Sequence, residues 1–293
     1  MTPETIRIIV TIAAAVLGAP LLGALLMGVD RRLTARMQGR VGPPLLQPIY
    51  DVLKLLGKES LALNQFQIFY AYLHLGFMML VVVLLALGQD MLMILFAHAF
   101  STIALILGGM SVRSPYSRIG GARKILQLLA YEPILVLMVI GIYMFNASAG
   151  HRSFLVSEVA ASGQPLLPAL PLVFLTFAVA AAIKLEKSPF DVATSHHAHQ
   201  EIVKGVTIEY AGPYLAMIEI AQMYEVALVF VMLAFFWATN LWIGAALAAV
   251  VFLGQIVLDN TFARLTPMWM VRFMWTVPMV LAVTNIVWLY FRL

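Results

Sequence analysis

Residues 91–110 read MLMILFAHAFSTIALILGGM, twenty positions without Asp, Glu, Lys or Arg, and residues 111–124 then read SVRSPYSRIGGARK, fourteen positions with four basic side chains. Twenty residues in an α-helix rise about 30 Å, the thickness of a bilayer's hydrocarbon core. A basic stretch at the end of such a run marks where a span leaves the membrane. Outward from this stretch the pattern repeats. Of the 293 residues 62% are hydrophobic and 11% charged, with a mean hydropathy of +0.95, outside the range of water-soluble domains of this size.

Spans are expected near 5–29, 67–88, 91–110, 125–147, 166–184, 213–238, 241–262 and 273–291. They form one all-α integral membrane domain covering 1–293. The runs are apolar all round and lack period-two alternation, which excludes a β-barrel, and helices are the default where no water can satisfy backbone groups. The first run, 8–29, is too long for a signal core and reads as a retained span.

Fourteen of the eighteen Lys and Arg residues fall in loops 30–66, 111–124, 185–212 and 263–272. The opposite side holds Arg7, Arg152 and Arg292, and Lys184 borders the basic side. This alternation requires an even number of spans. By the positive-inside rule it places the charged loops in the cytoplasm and both termini outside, in the cell membrane. The basic loops face lipid headgroups, and no nucleic-acid partner is expected.

In the first charged loop Leu46, Ile49, Leu53 and Leu56 recur at helical spacing, with Asp51 and Lys54 between them. This predicts an amphipathic interfacial helix within 45–56. Glu132, Glu219 and Glu225 lie inside spans. An intramembrane carboxylate is costly and faces protein or water beside a partner, so two readings stay open: ion pairs that lock helices, or a series of acids that carries protons. Asp259 and Arg264 are spaced to pair across about one helical turn.

Absence of cysteine excludes disulfides, a cysteine nucleophile and cysteine-held iron–sulfur clusters in this chain. His196, His197 and His199 carry metal-ligating imidazoles, but neighbouring side chains rarely converge on one ion, and no metal is assigned. His74 and His98 are expected about 10 Å apart in depth, too far to share a haem iron. No redox centre is therefore expected in the chain, and any such centre belongs to partners.

Several ordered motifs span nearly the whole chain: Asp30-Arg31-Arg32 with Gln38-x-Arg40-x-Gly42-Pro43; Gln47-Pro48-x-x-Asp51-x-x-Lys54-Leu55; Gly121-x-Arg123 with Tyr131-Glu132; Pro189-Phe190-Asp191; and Glu201 through Gly205 to Glu209-Tyr210. They resemble the membrane subunit that respiratory complex I (the NADH dehydrogenase subunit 1 family) shares with energy-converting, membrane-bound [NiFe] hydrogenases. The resemblance implies a non-catalytic subunit of an oxidoreductase complex, on whose charged loops an electron-transfer module docks. It implies an acidic network of Glu132, Asp191, Glu201 and Glu209, which Glu219 and Glu225 extend as a coupling path. It also implies loop and docking roles for Arg31, Arg40 and Arg123, to which Asp30, Asp51 and Lys184 are added as expected members of the same loop architecture.

Departures from the respiratory pattern point to a branch. Lys184 stands where a glutamate is usual, Gln222 occupies an acidic position between Glu219 and Glu225, and His-His-Ala-His-Gln-Glu at 196–201 lengthens the loop. This insertion looks like that of the Ech-type and carbon-monoxide-linked hydrogenases. Implied partners are a [NiFe] large subunit, an iron–sulfur small subunit, a ferredoxin-like subunit and an antiporter-like membrane subunit. The [NiFe] centre and iron–sulfur clusters would lie in those partners, and the complex would reduce protons with ferredoxin electrons while moving protons or sodium. Two alternatives remain, a quinone-chamber subunit of a complex I-like dehydrogenase and a stand-alone secondary transporter.

Overall fold

A computed structural model describes residues 2–61, 64–148, 150, 153–193 and 204–292. Ten α-helices are formed among them: α1 Pro3–Met37, α2 Gln47–Leu56, α3 Gln65–Ala86, α4 Met91–Met110, α5 Pro115–Ser148, α6 Val156–Ala161, α7 Pro171–Lys184, α8 Gly212–Phe235, α9 Leu241–Thr261 and α10 Pro267–Arg292. All except α2, α6 and α7 are long and apolar enough to cross a membrane, so this is an all-α multi-pass membrane protein.

Four boundaries differ from those expected by five residues or more. Helix α10 begins at Pro267 rather than 273, α1 continues through Asp30–Met37, and α5 begins at Pro115, so parts of three expected loops are helical. At 35 and 34 residues α1 and α5 are about 50 Å long, and their charged turns project beyond a hydrocarbon core. Helix α7 has only 14 residues, about 21 Å, because the pass expected from 166 does not become helical before Pro171.

The shortened helix still joins the two ends of the bundle. At one end Leu167 donates to the Phe236 carbonyl (3.1 Å); at the other Leu265 N–H donates to the Pro189 carbonyl (2.8 Å). Non-helical backbone at membrane depth is tolerated when protein buries it. Leu166 and Leu170 are fully buried, and Asn285 of α10 accepts from Leu172 N–H (2.8 Å) and Val173 N–H (3.1 Å) while donating to the Ala169 carbonyl (3.1 Å). The sequence supplies α7 with no cap of its own; another helix provides it.

Prolines inside helices are compensated in the same way. Pro20 has no N–H for the Val16 carbonyl, which accepts from Tyr224 Oη of α8 (2.5 Å). Pro133 likewise frees the Leu129 carbonyl, which accepts from Trp275 Nε1 of α10 (3.1 Å). Helices α1 and α8 touch where a Cβ on Gly23 would collide with the Met223 carbonyl, so only glycine permits that approach.

The core lies among α4, α5, α7 and α8, whereas the outer faces of α1, α9 and α10 expose apolar side chains. Helix α2 buries Pro48, Val52 and Leu55 against α1 and α8. Of the four expected apolar positions only Ile49 packs beside them; Leu46, Leu53 and Leu56 form a second, exposed apolar face.

Candidate functional site

The charged end of the bundle encloses a cavity of about 470 Å³ between α1, the 40–43 segment, the 185–191 segment, α8 and α9. Asp30, Arg31, Arg40, Lys187, Asp191 and Asp259 line it alongside apolar Met27, Val41, Val226 and Phe252. Lys187 joins α1 to α9 by pairing with Asp30 and with Asp259 (3.2 Å), which also accepts from Ser188 N–H (2.7 Å). Arg264 grips Asp191 through two bonds of 3.1 and 3.0 Å. The expected Asp259–Arg264 pair is therefore not formed: Arg264 lies beyond the end of α9, and its guanidinium reaches Asp191 instead.

The Pro189-Phe190-Asp191 segment is positioned from several directions. Gln127 of α5 donates to the Phe190 carbonyl (2.8 Å), Arg123 to the Val192 carbonyl (3.2 Å), and the Phe190 ring stacks on Phe273 of α10 at 6.0 Å. Arg31 bonds Asp51 at 2.8 Å and so ties α1 to α2, while Arg40 donates to Gln38.

Glu186 and Gln222 line this cavity and also a deeper one of about 40 Å³. The deeper cavity adds His74 of α3, Lys124 of α5, Lys184 of α7, and Glu219 and Glu225 of α8. Lys124 pairs with Glu186, and Lys204 lies 3.6 Å from Glu219. At the inner limit Lys184 Nζ is 3.7 Å from Glu225 Oε1 and 2.7 Å from His98 Nε2, and His98 Nε2 is 3.3 Å from the same Glu225 oxygen. The Lys184 ammonium also faces the Tyr131 ring at 5.4 Å. Beyond it a second cavity of about 40 Å³ has walls that are apolar apart from His98 and Lys184.

Ionisable groups thus run from the charged end into the bundle without an apolar break. Glu219, Glu225 and Lys184 come together, and Asp30, Arg31, Arg40 and Asp191 surround the outer cavity. Glu132 has a buried Oε2 without a hydrogen-bond partner, near enough to Lys184 for their charges to interact. Glu209 stands apart, lining a different cavity with Asn64, Ser111 and Arg113. Glu201 and the His196, His197 and His199 cluster lie outside the described residues. Among the described residues no group of three or more potential ligands is arranged for a metal.

Sequence reasoning gave no role in the path to His74, His98, Lys124, Glu186 or Lys187. The signal available for the first three was their position next to or inside apolar runs, where a polar side chain needs a partner. His74 Nδ1 meets the Ser101 carbonyl and hydroxyl at 2.9 and 2.8 Å. Since Ser101 is three residues from His98, the imidazoles differ in depth by about 4.5 Å rather than 10 Å. Each is engaged by its own partners rather than facing a shared iron.

A family model described as NADH dehydrogenase matches residues 9–290. The H subunit of the NADH-quinone oxidoreductase of Bacillus cytotoxicus is 31% identical, with 93% of this chain and 89% of that protein aligned. The Geobacillus kaustophilus protein of the same name is 30% identical, with 91% of each chain aligned. In fold, the chain is similar to a chain of the membrane-bound sulfane sulfur reductase, an archaeal respiratory membrane complex, with a TM-score of 0.85, 23% identity and coverage of 97% and 99%.

Proposed function

The chain belongs to the NADH dehydrogenase family, as a relative of these membrane subunits, and we propose that it anchors an electron-transfer module to the membrane and couples that module's redox changes to ion movement. The observation that carries this reading is the continuity of charge: the outer cavity and the buried cluster share Glu186 and Gln222. In this reading Asp191, Glu201 and Glu209 sense charge at the docking face, and Glu132, Glu219 and Glu225 carry the response inward. Asp30, Arg31, Arg40, Asp51, Arg123 and Lys184 hold the architecture around them. A unit charge 4 Å away acts with about 4 kcal/mol at an effective dielectric near 20, enough to move a carboxylate's ionisation by more than two pH units.

The branch we favour is a ferredoxin-dependent, proton-reducing [NiFe] hydrogenase complex whose metal centres lie in partner subunits. Support comes from Lys184, Gln222 and the histidine-rich 196–201 segment. In this assembly the charged loops face the cytoplasm, and an antiporter-like subunit continues the ion path. A quinone-reducing complex is the second reading, favoured by the apolar side of the outer cavity and by the Bacillus and Geobacillus relatives.

Gentle detergent extraction through a tag on this chain, with metal analysis and subunit identification, separates the two. Nickel co-purifying with an iron–sulfur protein is the expected result. An intact complex that contains no nickel and reduces quinone would overturn the hydrogenase branch and leave the coupling role in place.

A further inference from the structure

The inner limit of the polar cluster has a geometry that a structural ion pair does not need. One nitrogen, His98 Nε2, lies within reach of a donor, Lys184 Nζ at 2.7 Å, which is also 3.4 Å from Nδ1 of the same ring, and of an acceptor, Glu225 Oε1 at 3.3 Å. A bare Nε2 accepts from the lysine and has nothing to give the carboxylate; a protonated Nε2 serves the carboxylate and cannot accept from the ammonium. The site therefore has two proton arrangements with the same heavy-atom positions, and the charge on Glu225 selects between them.

We propose that Lys184 is a proton-exchanging group that shuttles between Glu225 and His98, and this rests on the ion-coupling reading above. A proton arriving from the Glu219 and Gln222 side forms an O–H bond on Glu225 and removes the lysine's counter-charge. Lys184 then gives a proton to His98 Nε2: an Nζ–H bond breaks and an Nε2–H bond forms. Glu225 then closes the 3.7 Å gap to hydrogen-bond distance and returns its proton to the neutral amine, breaking O–H and restoring Nζ–H. One proton has moved from Glu225 to His98, and lysine and carboxylate are as they began.

The surroundings suit an exchange confined to these groups. Lys184 and His98 are buried, and the cavity beyond them is otherwise apolar. From α3, His74 is already bonded to Ser101. From α5, Lys124 is paired with Glu186, the Tyr131 ring faces the ammonium, and Glu132 is the other carboxylate whose charge acts on Lys184. From α8, Glu219 is beside Lys204.

The substitution Lys184→Arg separates exchange from simple pairing. Guanidinium keeps the positive charge and can bond both partners, but it does not release a proton at working pH. In inverted membrane vesicles containing the intact complex and driven by dithionite-reduced ferredoxin, K184R is expected to assemble normally. Its rate of coupled proton uptake should fall about a hundredfold, the lower end of what a positioned acid–base group contributes. His98→Gln, which retains a polar side chain without a proton cycle, should do the same. Uptake by K184R at the wild-type rate would overturn the proposal.

Infrared difference spectra of the purified complex, reduced with dithionite, test it without relying on assembly of K184R or on the natural donor. Reduction should produce an imidazolium band that His98→Gln removes, and absence of such a band overturns the proposal. Dithionite acts on iron–sulfur partners of either branch. A His98 imidazolium band without nickel would sink only the hydrogenase reading; nickel without that band would sink only the shuttle.

Discussion

Arg31 and Asp51 are twenty residues apart, yet their 2.8 Å bond fixes α2 against α1, and the chemistry of that contact sets a pH limit. Burial acts to raise the Asp51 carboxyl, but hydrogen bonds from Arg31 and Gln47 and the charges of Arg31 and Lys54 outweigh it, leaving its pKa below the ordinary 3.8. The native carboxyl therefore binds fewer protons than the unfolded one. Its stabilisation is complete above 3.8 and is lost as pH falls through the lowered value. The protection of amides across 47–56, taken relative to the intrinsic exchange rate at each pH, should fall below about pH 4, whereas Asp51→Asn should already show low protection at neutral pH and respond less to acid. Equal acid responses would remove Asp51 from the account. Individual charges such as Asp51 and Arg31 were legible as a motif, but partner choice was not. Arg264 bonds Asp191, 73 positions away, rather than Asp259 because the approach of the 185–191 segment to α10 decides which carboxylate is in reach.

At the scale of elements, hydropathy located the helices well where the runs were uninterrupted, as in α4, whose bounds are those expected. It failed where a helix leaves the apolar layer. Charge density says where a span meets water, not where backbone hydrogen bonding stops, so α1 and α5 continue into stretches that looked like loops. It also failed for α7, whose start depends on Asn285 from another helix. Close packing of α1 on α8 offers a controlled test. Gly23→Ala forces a methyl group into the Met223 carbonyl, whereas Gly18 on the same helix has open space around it. Overpacking of this kind costs about 1–3 kcal/mol, so G23A should lower the melting temperature of the detergent-solubilised complex while G18A leaves it nearly unchanged. Matching melts would show that α1 can shift on α8 without loss.

Across the whole molecule, the feature most legible in the sequence was the one-sided placement of charge, and the structure adds what lies behind it: a cavity at that end and ionisable groups continuing inward. The inward continuation was only partly legible because Lys124, Glu186 and His98 become one cluster through the packing of α4, α5 and α7, not through spacing along the chain. The same packing bears on orientation. Seven long helices plus the short α7 pass give an even total, with Gln164 and Thr239 at the end opposite Lys58. Because the chain has no cysteine, single cysteines at these positions are unique labels within it. In intact cells a membrane-impermeant maleimide should label Gln164→Cys and Thr239→Cys, and label Lys58→Cys only after permeabilisation. The first two report on α7 directly: if its 14 helical residues did not complete a crossing, Gln164 and Thr239 would fall on opposite sides. Labelling of Lys58→Cys alone in intact cells would instead invert the assigned orientation, placing the docking face outside and away from any cytoplasmic electron donor.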